Sequence, residues 1–256
     1  MCLIFLAYEQ HSEFRLVVAA NRDEQYNRPT SSAHFWPECP HILAGRDLEA
    51  GGTWMGVNTS GSFGALTNVR SRQPRLSDPP SRGELVTEFL NKDGACEPYL
   101  NHIECTSAKY NGFSLLLYAE EELHYFSNFD DGQRLRLTPG LYGLSNHLLD
   151  TPWPKVSQGK QAMGVWLESE SDDVDALFRM MSDKGCAADE ELPDTGVDKA
   201  FERALSALFI ESPSYGTRST SVVLLGYDGV CRFTERTFEP HSNRASTVSF
   251  QIDTKR

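Results

Sequence analysis

The N-terminal stretch CLIFLAYEQHSEFRLVVAANRDE, residues 2–24, decides the fold. Residues 3–8 are apolar without interruption, residues 9–12 form a polar break, and residues 14–20 are apolar again. Two short apolar runs around a polar turn are typical of an antiparallel hairpin whose strands are buried on both faces. The sequence therefore predicts a doubly buried hairpin as its first element.

Further hairpins and groups of helices are predicted along the rest of the chain. The hairpins pair residues 53–58 with 62–67, 113–118 with 123–127, and 221–225 with 230–234, the last around an Asp-Gly turn. Helical spacing of apolar residues occurs after a capping-box sequence at 81–84, and at 155–168, 172–181 and 197–209, whereas 70–80 and 183–194 have the composition of loops. Strands in hairpins with helices between them predict an α+β fold, in one domain spanning residues 1–256.

Composition narrows the functional classes. The 256 residues carry 36 acidic and 24 basic side chains, and the net charge of −12 repels polyanions, so nucleic acid is not an expected partner. The six cysteines are scattered without a C-x-x-C pair, which predicts reduced thiols. The sequence shows neither a signal-peptide pattern nor an apolar run of membrane-spanning length, so we expect a cytoplasmic protein without a transmembrane segment.

Cys2 is the first candidate for chemistry because of its position. Removal of Met1, expected before a small second residue, would leave a thiol and an α-amine in one residue, which could then supply both the nucleophile and its base. The alternative is that Cys2 is a small apolar residue at the start of a buried strand, since cysteine is among the most buried residue types.

Polar residues interrupt apolar runs at several other places. The cluster Asn21-Arg22-Asp23-Glu24 ends the second strand, where hairpin geometry brings Asp23 close to Cys2. Asn68 ends another predicted strand, and its amide could donate to a developing oxyanion. The segments at 145–147 and 216–220 are similar interruptions, and each of these clusters alone is more often a cap or a turn than a site.

Four motifs together resemble the NRDE family, also called the transport and Golgi organisation protein two family. They are the initial Met-Cys, the NRDE tetrapeptide at 21–24, the run GGTWMGVN at 51–58 with TNVR at 67–70, and YGTRST at 215–220. The resemblance spans Cys2 to about Arg232. It implies an N-terminal nucleophile hydrolase-like fold, a four-layer αββα sandwich of two antiparallel sheets, and no catalytic metal.

The resemblance also implies roles for individual residues. In the related choloylglycine hydrolase and penicillin V acylase group, the working parts are an N-terminal Cys, an Asp, two Asn residues and a late Arg. These match Cys2, Asp23, Asn68, Asn146 and Arg218 in this sequence. That group carries an Arg immediately before the Asn of the second-strand motif, whereas this chain has Ala20 there and Arg22 after it.

The function expected first is the binding and trafficking of haem, and the alternative is a cysteine amidohydrolase; in either case the ligand is a small amphipathic molecule, haem or an acyl compound. The family's reported biology favours haem binding and trafficking, with the propionates held by arginines, namely Arg22, Arg70 and Arg218. The residue set favours a cysteine amidohydrolase acting on a small acyl amide. For a haem iron, the candidate ligands are Cys39, His41 and His147, although a lone His is more often structural and a Cys-Pro dipeptide arises by chance.

Overall fold

The computed structural model describes residues 2–92, 94–242 and 244–254. Within these ranges lie thirteen strands and five α-helices. The strands are β1 (Cys2–Tyr8), β2 (Phe14–Gln25), β3 (Thr30–Trp36), β4 (Cys39–Asp47), β5 (Met55–Asn58), β6 (Phe63–Asn68), β7 (Phe113–Ala119), β8 (Glu122–Ser127), β9 (Gln133–Leu137), β10 (Gly140–Leu144), β11 (Tyr215–Gly226), β12 (Val230–Phe238) and β13 (Ala245–Asp253). The helices are α1 (Gly83–Asn91), α2 (Cys96–Thr106), α3 (Pro154–Glu168), α4 (Val174–Met181) and α5 (Lys199–Ala204).

The strands form two antiparallel sheets. The first has the order β10-β1-β2-β11-β12-β13, and the second has the order β3-β4-β5-β6-β7-β8-β9. The four predicted hairpins are present as β1–β2, β5–β6, β7–β8 and β11–β12. The α+β class is therefore confirmed.

The β1–β2 hairpin is buried on both faces because the second sheet covers one side and helices cover the other. Ile4 shares a core with Val57 of the second sheet. Phe5 points the opposite way and packs with Met163 of α3 and Phe178 of α4. A third apolar cluster joins α1 and α2 to the outer face of the second sheet. The layers follow the order α-β-β-α, so the predicted four-layer sandwich is confirmed.

The helices differ from the sequence prediction at three places. The capping box at 81–84 is not formed: α1 begins after Arg82, and the Ser81 hydroxyl accepts from the backbone amide of Gly83 at 3.3 Å. The helix predicted over 197–209 is shorter, Lys199–Ala204, and residues 205–210 continue without helical structure. The helix α2 was not predicted. The loops at 70–80 and 183–194 lie outside helices and strands, as expected.

Among the helices described here, none combines the length and the apolar character that a membrane crossing requires.

The close packing of α3 on β1 gives a stability test with a matched control. A methyl group added at Gly159 would lie 1.9 Å from the Phe5 ring, whereas one added at Gly164 of the same helix meets nothing within 4 Å. We expect Gly159→Ala to lower the free energy of unfolding by about 1–3 kcal/mol through overpacking. Gly164→Ala should raise it by about 0.5–1 kcal/mol through helix propensity. Urea denaturation measures both, and equal shifts in the two variants would contradict this packing.

Candidate active site

A cleft of about 370 Å³ opens where the two sheets meet beside the end of the β1–β2 hairpin. Both sheets contribute to it. From the first sheet come Cys2, Arg22, Asp23, Arg218 and Glu235; from the second come Asp47 and Asn68; and Arg82 joins from the residue before α1. The volume falls in the range of small-molecule sites.

Cys2 is the first residue of β1 and pairs in register with Arg22 of β2. It lines the cleft although only 7% of its surface is exposed. Burial raises the pKa of the Cys2 thiol to about 11, with a further increase from Asp23 and an opposing effect of Arg22. At neutral pH the thiol is therefore protonated, and a reaction at sulfur needs a nearby base.

Asp23 is fixed by β11, the strand next to β2. The Thr217 hydroxyl donates to the Asp23 carboxylate at 2.7 Å, and the Tyr215 hydroxyl donates to its backbone carbonyl at 2.9 Å. Burial raises the pKa of the Asp23 carboxyl, and the positive charge of Lys155 opposes this most strongly. Burial therefore favours the neutral acid, and the neighbouring cations favour the carboxylate.

Arg22 and Arg28 tie the two sheets together through one carboxylate of the second sheet. Arg22 donates to Asp47 Oδ2 at 3.1 Å, and Arg28 donates to the same oxygen at 2.6 Å. The other terminal nitrogen of Arg22, Nη1, is buried and makes no hydrogen bond to the described residues. Arg22 therefore keeps one buried donor without a hydrogen-bond partner among the described residues.

Arg218 lies at a β-bulge, where the pairing of β11 with β2 shifts between Thr217 and Ser219. Its Nη1 contacts three backbone carbonyls, those of Gln25 at 3.0 Å, Tyr26 at 3.2 Å and Arg28 at 3.0 Å. Burial lowers the pKa of its guanidinium. The side chain thereby orders the segment after β2 that forms one rim of the cleft.

The two candidate asparagines have different positions. Asn68 ends β6 and lines the cleft. Asn146 is fully buried and does not line it, but its side-chain amide donates to the Asn68 backbone carbonyl at 3.1 Å. The backbone carbonyl of Asn146 in turn accepts from the Arg70 amide at 2.8 Å. Asn146 therefore supports the backbone that presents Asn68.

The candidate haem ligands lie outside the cleft lining. His147 contacts Thr151 at 3.0 Å, and burial lowers the pKa of its imidazole. Cys39 packs against the α1–α2 cluster, and the His41 backbone accepts from Thr59. Arg70 also lies outside the lining and pairs with Glu202 at 2.7 Å. Among the described residues, no group of three His, Cys, Asp or Glu side chains could hold a metal ion.

Sequence reasoning missed Glu235, a buried carboxyl group of the cleft. Glu235 lies two residues beyond Phe233 and four beyond Cys231 on the same face of β12, and those two residues belong to the core between the sheets. Its carboxylate accepts from the Ala33 backbone amide at 2.7 Å and from the Ser221 hydroxyl at 3.1 Å. The period of two along β12 was the signal that could have placed this acid on the inner face.

Lys155 was missed as well. It is the second residue of α3 and is 1% exposed. A lysine at a helix end normally reaches solvent, and nothing in the local sequence indicates otherwise.

Comparisons with known proteins agree with this architecture. The family model described as Transport and Golgi organisation 2 matches residues 1–240. The mouse Transport and Golgi organization 2 homolog is 37% identical over 98% of this chain and 99% of its own length. The human homolog is 37% identical over 92% of each chain, and the Drosophila melanogaster protein is 29% identical over 94% of each.

Two solved structures of conjugated bile acid hydrolase from Clostridium perfringens, both of altered forms of the enzyme, share the fold. One has a TM-score of 0.58 and 9% identity, over 96% of this chain and 92% of that chain. The other has a TM-score of 0.56 and 9% identity, over 98% of this chain and 92% of that chain. At this level of identity the likeness concerns the fold.

Burial of Glu235 predicts a pH dependence of stability. Burial raises the pKa of its carboxyl above 4.5, so the folded protein binds this proton more tightly than the unfolded chain. This contribution is fully present below the unfolded pKa and is lost as the pH rises through the folded pKa. We expect the free energy of unfolding of the wild type, relative to Glu235→Gln, to fall by at most about 1.4 kcal/mol per pH unit above pH ~4.5.

Urea denaturation across a pH series measures this difference. The exposed Glu190→Gln variant is the control and should track the wild type at every pH. A constant difference between wild type and Glu235→Gln would show that the carboxyl titrates normally.

Proposed function

Because the chain belongs to the Transport and Golgi organisation 2 family and has an N-terminal nucleophile hydrolase-like fold, we propose that it is a cysteine-dependent amidohydrolase for a small acyl amide. One observation carries the proposal: Cys2, Asp23, Asn68 and Arg218 line the same cleft. The candidate iron ligands Cys39, His41 and His147 lie outside this lining, which favours hydrolysis over haem binding.

Because the Cys2 thiol is buried and protonated, the proposed reaction needs a base close to the sulfur. Its raised pKa means that the proton must be removed as sulfur attacks. After removal of Met1, the α-amine of Cys2, with a pKa of about 7.7–8.0 in ordinary surroundings, is a suitable base. Sulfur would bond to the amide carbon, the carbon–nitrogen bond would break, and the proton would pass to the leaving amine. Water would then cleave the thioester, releasing the acid and restoring the thiol.

The remaining cleft residues have roles that follow from their charge and position. Asp23 would orient the protonated α-amine as a fixed carboxylate. The Asn68 amide would donate to the oxyanion that forms during attack. Arg22 and Arg218 would hold an acidic group of the ligand, since the guanidinium fork suits carboxylates.

The test of this proposal is hydrolysis of a panel of N-acyl p-nitroanilides of short, medium and long acyl chain by protein whose intact mass shows loss of Met1. We expect Cys2→Ala to lower kcat by at least about 10³-fold, because the nucleophile is lost. Cys105→Ala, which alters an exposed thiol outside the cleft, is the control and should retain activity.

The proposal fails if Cys2→Ala hydrolyses the panel as well as the wild type. It also fails if processed wild-type protein neither turns over the panel nor forms a thioester adduct detectable by mass.

Haem carriage is the second candidate, favoured by the amphipathic lining of the cleft. Trp54 and Leu66, together with the prolines at 79–80, supply apolar surface close to the arginines. Within the described lining, Cys2 is the sole residue of the Cys, His, Met or Tyr type that could ligate iron.

If the cleft carries haem, titration should give a Soret band distinct from that of free haem at one equivalent, and Cys2→Ala should move it, because the axial ligand is lost. Cys39→Ala alters a thiol outside the cleft and should leave the band in place. A spectrum of free haem at stoichiometric protein excludes this function.

We place either activity in the cytoplasm, since all six cysteines are free thiols.

A further inference from the structure

Two buried threonines of β11 donate hydrogen bonds to buried polar side chains at the end of β2. Thr220 donates to the side-chain oxygen of Asn21 at 2.6 Å, and Thr217 donates to Asp23 Oδ1 at 2.7 Å. All four residues are at most 4% exposed, and each pair is also a register pair of the two strands. The NRDE tetrapeptide and the YGTRST segment are therefore joined through side chains as well as through the backbone.

The pair formed by Thr220 and Asn21 is structural. The Asn21 amide also donates to the backbone carbonyls of Met181, at the end of α4, and Leu208, each at 2.9 Å. Both ends of its side chain are thus used within the protein, and Asn21 does not line the cleft. Asp23 does line the cleft, so the threonine that is paired with Asp23 acts on a residue of the site.

The Thr217 hydroxyl has a fixed direction. The Ile210 backbone amide donates to Thr217 Oγ1 at 2.9 Å, and the Thr217 amide donates back to the Ile210 carbonyl oxygen at 2.9 Å. The proton of the hydroxyl then has Asp23 Oδ1 as its one acceptor within the part of the chain that the structure describes. A Cβ at Gly216 would lie 2.5 Å from the same Ile210 carbonyl oxygen, so glycine allows this close approach. Oδ1 is therefore held as a hydrogen-bond acceptor.

The ionisable groups around Asp23 come from β1, β2, β11 and α3. Burial raises the pKa of its carboxyl, whereas Lys155 of α3, the hydrogen bond from β11 and Arg22 of β2 lower it. Asp23 in turn adds to the effect of burial in raising the pKa values of three neighbours, namely Cys2 on β1, Tyr215 on β11 and Tyr26 after β2. A change of the threonine leaves all of these groups in place, so it isolates the effect of the hydrogen bond.

We propose that Thr217 is a positioning residue of the site, whose hydroxyl, fixed by the Ile210 amide, holds Asp23 Oδ1 in the orientation that serves Cys2. Thr217 does not line the cleft, so it acts through Asp23 and not on the ligand. Its use in catalysis rests on the proposed hydrolase function, in which Asp23 orients the α-amine of Cys2. The hydrogen bond itself is a property of the folded protein and can be tested separately.

Loss of the hydroxyl should be visible in the titration of Asp23. Thr217→Val removes the donor at nearly equal volume and should raise the pKa of the Asp23 carboxyl by about 1, because the ionised form loses a charge-assisted hydrogen bond. Carbon-13 NMR of protein labelled at the Asp carboxyls measures this value, and Asp23→Asn assigns the signal. Thr217→Ser keeps the hydroxyl and should titrate like the wild type.

Thr220→Val is the matched control, since it removes a buried hydroxyl from the same strand whose partner is Asn21. It should leave the Asp23 titration unchanged, and the proposal is overturned if Thr217→Val moves that titration no further than Thr220→Val does. Should Thr217→Val not fold, Thr217→Ala takes its place in the comparison with Thr217→Ser. If Thr217→Ala does not fold either, the residue is required for folding itself, and the positioning role is wrong.

The catalytic consequence is measured in the p-nitroanilide assay. Thr217→Val should lower kcat by about 10–100-fold with little change in KM, because the side chain positions Asp23 without touching the ligand. The acid limb of the pH profile of kcat should move to higher pH in Thr217→Val and stay in place in Thr220→Val. An NMR shift without a change in kcat would overturn the positioning role. If the wild type hydrolyses nothing, the proposed function fails, and the NMR titration alone decides whether Thr217 controls Asp23.

Discussion

Burial of both faces of the β1–β2 hairpin is the constraint on which the rest of the structure depends. Each face must meet a separate apolar surface, so the second sheet covers one and the α3–α4 pair covers the other. A shift of register by one residue would turn every side chain of the hairpin to the opposite layer. The packing of the whole sandwich therefore fixes the pairing of Cys2 with Arg22, and with it the positions of the site residues at the end of the hairpin.

The charged groups of the cleft lie where the apolar core ends. Asp47 accepts from Arg22 across the gap between the sheets and from Arg28 of the segment that joins β2 to β3. Glu235 of β12 accepts from the backbone of β3. Buried ionic groups of this kind add little net stability and lose much when one partner is removed. Their effect here is to fix how the two sheets meet, which sets the shape of the cleft.

The sequence predicted the central hairpins and the contents of the cleft better than the periphery. Period-two and continuous apolar patterns identified eight strands, and family motifs identified Cys2 and Asp23. Of the five strands not predicted, β3, β9, β10 and β13 are sheet edges, where half-exposed residues blur the pattern. Lys155 could not be found, since its burial depends on how α3 packs on β1 and not on its neighbours in sequence.

Side-chain alternation also explains how this chain can have Ala20 where the choloylglycine hydrolase group has an arginine. Residues 20 and 22 point to the same face of β2, and Ala20 lies in the core between the sheets. An arginine at position 22 instead of position 20 therefore points to the same face of β2 but lies about 7 Å nearer the end of the strand. There Arg22 lies opposite Cys2 and donates to Asp47 of the second sheet. The cation is thus anchored across the gap between the two sheets, beside Cys2 in the cleft.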